Sequence, residues 1–383
     1  MNEYYVRCHN YMTETESAMF SIHGWAEKIA KGTFLTPEEG LQVMESTPTQ
    51  ALVEEADRLK RLLHGNRVSF VDNVNQTLNN ICFHDCCFCR YATQIGSRRA
   101  YVALVGDLLE HIARFPDATE ICMQGGVFPK LRFSYYKELV REVRRAYPNL
   151  HIHAFSPTEI QYMAEDSDQT TGEVLDQLKA LGLDSMPGTA AEILVDEVRE
   201  RICSMKINTA TWVRIIRESH ERGIPTNATM LFGHIETPAQ VAKHLEVVRQ
   251  VQETTKGFTE FIPFLFLPGE TPMETSGRKG DRFVNQEYTK RVYAFSRLYL
   301  GTAVPHLQTS WSSLGMETAL ESLGWGCDDF SGTLWEVPIE ESENGAQRPI
   351  PAADMRAHLA RAGMDPWQRD TLYRPVLAKI AVA

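Results

Sequence analysis

Cys82, Cys86 and Cys89 fall in the run ICFHDCCFCR with the spacing C-x-x-x-C-x-x-C. Three thiolates so spaced wrap one loop around a small inorganic centre. The count matters, because a structural zinc or a plain electron-transfer cluster normally takes four protein ligands. Three leave one position open for a substrate or cofactor. Three readings stand: an iron–sulfur cluster with one open iron, a zinc completed by a histidine such as His84, or buried structural cysteines. Using Cys87 in place of Cys86 leaves a single residue before Cys89, too tight to reach separate irons, so Cys87 is a bystander. Eight cysteines in 383 residues are too sparse for a disulfide scaffold, and their clustering points to metal or redox chemistry in a reducing compartment.

Further polar groups follow apolar runs along the chain. Gln124, Gly125 and Gly126 come directly after a β-type run, where two glycines let the backbone approach a ligand closely or make a tight turn. Ser156 and Glu159 in HAFSPTEI read either as a helix capping box or as a ligand contact at Glu159. His151 and His153 share one strand face, but no third ligand accompanies them, so they are core or lumen histidines. Glu192 and Arg199 lie seven residues apart in PGTAAEILVDEVRERIC, two helical turns along one face. The Arg199 fork suits a carboxylate or a surface ion pair, and Glu192 suits a ligand or a helix-end charge. His234 and Glu236 in MLFGHIET stand beyond an apolar strand, placed to shuttle a proton or hold a polar substrate, or to serve as wall residues. Glu260 sits among apolar neighbours in GFTEFIP and needs a partner or a function. Glu192, His234, Glu236 and Glu260 are therefore the candidate catalytic groups.

These residues need elements to position them. Runs with strand character occupy Val68 to Val74, Thr119 to Gln124, His151 to Phe155, Leu183 to Met186, Thr226 to Leu231, Phe258 to Leu265, His306 to Thr309 and Gly324 to Asp328. Amphipathic segments separate most of them, which predicts an α/β protein with a parallel (β/α)8 TIM-type barrel in preference to an open doubly wound sheet. The unusual residues cluster after the strands, on the face where such barrels carry chemistry. Thr36 to His64 reads as helical and stops at Gly65. The expected layout is an N-terminal helical extension over 1–66, a barrel over 67–335 and a C-terminal extension packing on it over 336–383.

Composition sets outer bounds. With 50 Asp and Glu against 39 Lys and Arg, the net charge of -11 repels a phosphate backbone, so no nucleic-acid partner is expected. No secretory signal and no apolar stretch of membrane-spanning length is present, so the expectation is a cytoplasmic protein without a membrane partner.

The cysteine spacing, with the aromatic Phe88 just before the last cysteine, resembles the radical S-adenosylmethionine (SAM) enzymes. That resemblance implies a 4Fe-4S cluster on Cys82, Cys86 and Cys89 whose open iron is chelated by SAM, reductive cleavage of SAM to a 5'-deoxyadenosyl radical, and a flavodoxin or ferredoxin as electron donor. It implies that Gln124, Gly125 and Gly126 meet the methionyl amino group, that Ser156 and Glu159 sit at the SAM site, and that Arg199 meets the SAM carboxylate. The runs HIHAFSPTEI, LKALGLDSMPGTAAEILVDEVRERIC, GIPTNATMLFGHIETPAQVAKHL, GFTEFIPF, LQTSWSSLG and QRDTLY are similar to one branch, the tyrosine-handling subunit of deazaflavin synthase and its menaquinone-pathway relatives. The branch resemblance implies fragmentation of L-tyrosine at Cα–Cβ and addition of the 4-hydroxybenzyl group to 5-amino-6-(ribitylamino)uracil. CRYATQIGSRRAY, LFLPGETPM and GTLWEVPIEES depart from the branch's usual sequence at the mouth. They leave open a different acceptor, another aromatic amino acid, or a futalosine-type cyclisation.

Overall fold

A computed structural model describes residues 21–269, 271–275, 285–336 and 349–376. Three helices, Trp25–Ala30, Pro37–Ser46 and Thr49–His64, precede the first strand. Thr36 accepts the Glu39 N–H while the Glu39 carboxylate accepts the Thr36 N–H, and Pro37 opens the first turn. The helical run expected from Thr36 to His64 is thus two helices, divided at Pro48, and Gly65 at φ 63° ends the second.

Ten strands follow: β1 Arg67–Val71, β2 Asn73–Thr77, β3 Glu120–Gln124, β4 His151–Ala154, β5 Thr226–Phe232, β6 Phe258–Leu265, β7 His306–Leu307, β8 Asp329–Gly332, β9 Trp335–Glu336 and β10 Asp365–Arg369. They form three sheets, ordered β10-β1-β8, β4-β3-β2-β9 and β5-β6-β7, with every ladder parallel. Single parallel bridges join the sheets: His153 to Ser185, Met186 to Thr226, and Gln308 to Asp329. The expected first strand is β1 and β2, parted at Asp72, whose Oδ1 accepts from Thr333 Oγ1 (2.9 Å) and Trp335 Nε1 (3.0 Å). That break lets β1 pair with β8 and β10 while β2 pairs with β3 and β9.

Two strand readings need correction, and β10 is a strand that the sequence did not lead us to expect. Leu183 to Met186 contributes only the bridges at Ser185 and Met186. The eighth strand is not Gly324 to Asp328, which turns back onto the preceding helix through Cys327 N–H to Ser322 O; it is β8, four residues later to end. Strand β10, DPWQR, lacks any alternation of apolar residues and contains Pro366, yet pairs along its whole length with β1. Its position is fixed by tertiary partners and not by local pattern.

Amphipathic helices cover the strands. Helix Phe133–Ala146 buries Phe133, Tyr136, Leu139, Val140 and Val143, the i, i+3, i+4 stripe of a core-facing helix. Leu139→Ala would cost about 2–5 kcal/mol by leaving a cavity there. The buried apolar residues form two clusters, one around β2 to β4 and the other around β5 to β8 with the N-terminal helices.

Near the starts of β6, β7 and β8 lies a floor of buried charge, which Arg369 reaches from the last position of β10. Arg369 of β10 reaches Asp329 Oδ2 (2.5 Å) and Glu260 Oε2 (3.1 Å), and Glu260 also accepts from Gln308 Nε2 (2.8 Å) and the Tyr373 hydroxyl. Arg297 pairs with Asp328, which also accepts from His306 Nδ1 (2.6 Å). Glu260, expected as a catalytic group, therefore sits in a saturated ion network beneath the strands. Among the described residues no helix is long and apolar enough to cross a membrane.

Candidate active site at the cysteine loop

The chain leaves β2 at Thr77 and is clamped from both sides before it reaches Cys82. Leu78 N–H donates to Gln124 O (2.7 Å), Gly126 N–H to Asn79 O (3.0 Å) and Phe83 N–H to Val127 O (3.0 Å). On the other side Asn80 holds the 93–101 loop: its carbonyl accepts from Thr93 N–H, its Nδ2 donates to Arg99 O (2.7 Å), and its Oδ1 accepts from Tyr101 N–H (2.9 Å). The two glycines serve this packing. A Cβ on Gly126 would lie 2.3 Å from Ile81 O and 2.9 Å from Cys82 Cβ, and one on Gly125 would lie 2.7 Å from Asn79 Nδ2. Their first demand is thus the close approach of the cysteine-bearing segment. Cys89 N–H closes a turn onto Cys86 O (3.1 Å), Cys87 N–H donates to Ile202 O (2.9 Å), and the Asp85 carboxylate accepts from Ser204 Oγ (3.1 Å). None of the described cysteines is in a disulfide.

A second wall comes from residues 188–206. Ala190 (φ 63°) and Glu192 (φ 42°) adopt left-handed backbone without being glycine, a conformation that persists only when its surroundings enforce it. Arg199 does so: its guanidinium donates to the carbonyls of Ala190 (3.1 Å), Ala191 and Ile207 (2.5 Å). Expected on a ligand carboxylate, Arg199 is instead buried and occupied by backbone. Glu192 pairs with Lys206 Nζ (2.5 Å), whose ammonium also lies over the Phe88 ring, 5.4 Å from its centre. Burial alone would raise the Glu192 carboxyl, but the Lys206 charge and hydrogen bond outweigh it and hold the group below its usual range. Burial also raises the Cys86 thiol, opposed by Lys206. Lys206 thus joins Glu192, Phe88 and the cysteine loop, and the sequence carried no pattern for it, because it lies beyond a helix end and meets Glu192 only through the fold.

Ser156 and Glu159 form the capping box in full: Ser156 N–H (2.8 Å) and Oγ (2.7 Å) donate to Glu159 Oε2, and Ser156 Oγ accepts from Glu159 N–H. Glu159 Oε1 then accepts Gly125 N–H (3.0 Å), which ties the β4 loop to the β3 loop. Burial pushes this carboxyl up to about 7 against those hydrogen bonds. Gln124 Oε1 accepts from Thr189 Oγ1 (2.6 Å), bridging the β3 loop to the second wall. His234 and Glu236, expected to face the mouth, are both wholly buried. His234 Nε2 bonds Leu231 O (2.9 Å), and Glu236 accepts from Gly233 N–H (2.7 Å), His234 N–H (2.9 Å) and Tyr288 OH (3.1 Å). They tie the turn after β5 together, since a buried carboxylate needs just such donors.

Not every polar atom here has a partner. Asn79 Oδ1, His84 Nδ1 and Thr158 Oγ1 are buried without a hydrogen bond, a state that usually marks an absent ligand or water. Asn79 abuts Gly125, and Thr158 precedes the Glu159 that binds Gly125. Three cysteine thiols with unpaired polar groups beside them fit a cluster plus a polar ligand. Among the described residues the one trio of His, Cys, Asp or Glu ligand atoms within 4.8 Å of each other is His64, His306 and Asp328, on the floor. The cysteine sulfurs are thus spread wider than one zinc ion requires. Asn79 and Asn80, directly before the cysteine motif, were the missed signal, since paired asparagines commonly anchor turns.

Comparison with known proteins accords with this geometry. The radical SAM superfamily profile matches residues 77–248, and that of the CofH/MqnC C-terminal region matches 255–380. The 5-amino-6-(D-ribitylamino)uracil–L-tyrosine 4-hydroxyphenyl transferase of Methanothermobacter thermautotrophicus is 37% identical over 89% of this chain and 94% of its own length. The enzyme of that name from Synechococcus elongatus is 37% identical over 91% of this chain and 95% of its own. Among solved structures, methylornithine synthase (PylB) superposes with a TM-score of 0.67 at 17% identity, covering 89% of this chain and 97% of that one. The FeFe-hydrogenase maturase HydG from Carboxydothermus hydrogenoformans gives 0.69 at 17%, covering 91% and 80%. These two show the fold, a mixed α/β radical SAM architecture. The chain belongs to the radical SAM superfamily and, within it, to the family of the 5-amino-6-(D-ribitylamino)uracil–L-tyrosine 4-hydroxyphenyl transferases.

Proposed function

We propose that the chain breaks the Cα–Cβ bond of L-tyrosine and joins the 4-hydroxybenzyl group to 5-amino-6-(ribitylamino)uracil, as in deazaflavin cofactor biosynthesis. The observation that carries this reading is 37% identity over nearly the full length of transferases named for those two substrates. Cys82, Cys86 and Cys89 would hold a 4Fe-4S cluster, which supplies the electron that cleaves bound SAM to a hydrogen-abstracting 5'-deoxyadenosyl radical.

The remaining steps are positioning and charge, the protein's share of cofactor chemistry. Lys206 offsets the negative charge of the thiolates and holds Glu192, which stays the candidate for substrate contact at the mouth. Phe88, under the Lys206 ammonium, fixes the last turn of the cysteine loop. Asn79 Oδ1 and Thr158 Oγ1 offer the open hydrogen-bond positions to SAM, beside Gly125 and Gly126. Gln124, Ser156, Glu159 and Arg199 brace the loops around them, and His234 with Glu236 braces the turn after β5. Glu260 anchors the floor. Such bracing matters because near-attack placement of two substrates supplies much of the rate.

We also read the three sheets as one closed (β/α)8 barrel over 67–335, flanked by extensions at 1–66 and 336–383. Its support is the uninterrupted parallel circuit from β2 through β3, β4, Ser185, Met186, β5, β6, β7 and β8 back to β1. A cytoplasmic setting accords with the need for reduced thiols.

The test is anaerobic reconstitution with iron and sulfide, then SAM, reductant and L-tyrosine with and without the ribitylamino-uracil, followed by mass spectrometry. Tyrosine-dependent 5'-deoxyadenosine and a hydroxybenzyl adduct of the uracil are expected. Deoxyadenosine with tyrosine fragments but no adduct would move the reading to another acceptor, and no SAM cleavage would overturn it.

A further inference from the structure

We propose that Asn75, on the interior face of β2, is the residue that reads the acceptor ring, its carboxamide pairing with the imide edge of the ribitylamino-uracil. This assignment rests on the acceptor given under the proposed function and goes beyond it in naming the ring's partner.

Strand phase places the side chain. Successive residues of a strand point to opposite faces, and Val74 belongs to the apolar cluster around β2 to β4 and their covering helices. Asn73 points the other way: its Nδ2 donates to Glu120 Oε1 (3.1 Å), and Glu120 Oε2 accepts from Thr371 (2.7 Å), just after the Arg369 that enters the floor. Asn75 shares the Asn73 face, two residues nearer the cysteine loop. In the parallel register it lies beside Cys122 of β3, and Cys122 lies beside His153 of β4. Asn73, Glu120 and His153 are buried, whereas Asn75 and Cys122 are only half-buried. Accessible space therefore begins at Asn75, above the floor.

Asn75 also lacks a partner. The other carboxamides that meet interior groups are engaged: Asn73 with Glu120, Gln124 with Thr189 Oγ1 (2.6 Å), Asn227 with Gly188 N–H (2.7 Å) and Gln308 with Glu260 (2.8 Å). Among the described residues no hydrogen bond reaches the Asn75 amide. A carboxamide offers a donor and an acceptor in one plane. The uracil imide carries the complement, an N3–H beside a carbonyl, so Nδ2–H donates to the carbonyl oxygen while N3–H donates to Oδ1. Asparagine reads the edge of adenine in DNA by a bidentate pair of the same kind. Charge favours a neutral ring here. Arg369 in the floor is bound to Asp329 and Glu260, and Lys206 at the mouth to Glu192, so neither offers the carboxylate of tyrosine an unpaired cation beside Asn75.

The test is a coupling between residue and ring. Anaerobic equilibrium dialysis is run on the reconstituted full chain with SAM and L-tyrosine but no reductant. The probes are labelled 5-amino-6-(ribitylamino)uracil and its N3-methyl analogue, each against the unaltered chain and Asn75→Ala. The unaltered chain is expected to bind the methylated ring about 10-fold to 100-fold more weakly, the worth of a bidentate amide pair. Asn75→Ala should lose uracil affinity by a similar factor yet discriminate between the two rings less than about threefold, the non-additivity of two groups in direct contact. Its cluster absorbance, SAM affinity and denaturation midpoint should match those of the unaltered chain, because the amide has no protein partner to lose. Unchanged uracil affinity in Asn75→Ala would overturn the proposal, and so would a methyl penalty that is absent from the unaltered chain or intact in the variant. An equal loss of SAM binding would overturn it as well, by showing a structural role. An unaltered chain that binds neither ring would overturn the acceptor reading and the proposal with it, an outcome told apart because it appears before any change at Asn75.

Discussion

The two ends of the same parallel strands treat buried polar groups in opposite ways. At the floor, Arg369, Asp329, Glu260, Arg297, Asp328 and His306 saturate one another. At the mouth, Cys82, Cys86 and Cys89 stand on a clamped loop while Asn79, His84 and Thr158 keep unpaired atoms. A buried charge with complete partners is explained by the fold that it locks, whereas a buried polar atom with none asks for something from outside. Charge and burial alone do not mark a functional site, and neither does one unsatisfied atom, since Asp57, His111, Tyr136 and Arg217 keep such atoms on the covering helices; the mark at the mouth is that Asn79 and His84 stand beside the cysteine motif.

The largest effect that would sharpen this contrast is at the cysteines. Cys86→Ala is expected to abolish cluster uptake and deoxyadenosine formation, more than about a thousandfold as for a residue indispensable to the reacting unit, while Cys87→Ala keeps both. Iron analysis with visible absorbance checks it, and an active Cys86→Ala protein would break the assignment.

At the floor the expected losses are of stability. Arg369→Met leaves Asp329 and Glu260 buried without their cation and should cost about 3–5 kcal/mol in chemical denaturation, without changing the cluster spectrum of the protein that remains folded. A loss of only a few tenths of a kcal/mol would mean that the network is incidental.

Acid should act next on His153 of β4, whose Nδ1 bonds Ser185 Oγ (2.6 Å). Burial, against the attraction of Glu120, holds His153 down at about 4, below the value near 6.5 of an unfolded histidine. The unfolded chain therefore takes up a proton that the folded chain refuses. Stability is unaffected above about pH 6.5 and falls as pH drops toward 4, by roughly 3 kcal/mol for this one group. Replacing His153 with Gln should flatten that part of the pH–stability curve, and an unchanged slope would contradict the assignment.

The smallest structural effect is predicted at Thr158. Because its hydroxyl has no partner, Thr158→Val should leave folding stability within about 1 kcal/mol, yet weaken SAM binding about tenfold, measured by equilibrium dialysis on the loaded protein. Reduced stability with unaltered SAM affinity would show that the hydroxyl serves the fold.

What the sequence made legible follows from range. The cysteine spacing, the Thr36–Glu39 and Ser156–Glu159 caps and the amphipathic stripe of Phe133–Ala146 are local patterns, readable within a few residues. Strands β5 and β6 are long apolar runs and stood out for the same reason. Strands β8 and β10 did not, because Asp329 and Arg369 are placed by each other across the fold, and DFSG and DPWQR carry no strand signature. Lys206 escaped notice for the same reason, being tied to Glu192 by tertiary contact. Arg199 looked like a ligand because its type suits a carboxylate; its carbonyl partners at Ala190, Ala191 and Ile207 have no signature in residue type at all.

The central claim, that three cysteines leave one iron open to SAM at the mouth, is tested most directly by electron–nuclear double resonance on the reduced, reconstituted protein with SAM labelled in its amino nitrogen and carboxylate oxygen. Hyperfine coupling from both labels to the cluster is expected, and it should vanish with unlabelled SAM. A cluster signal that shows no coupling and does not change when SAM is added would contradict it.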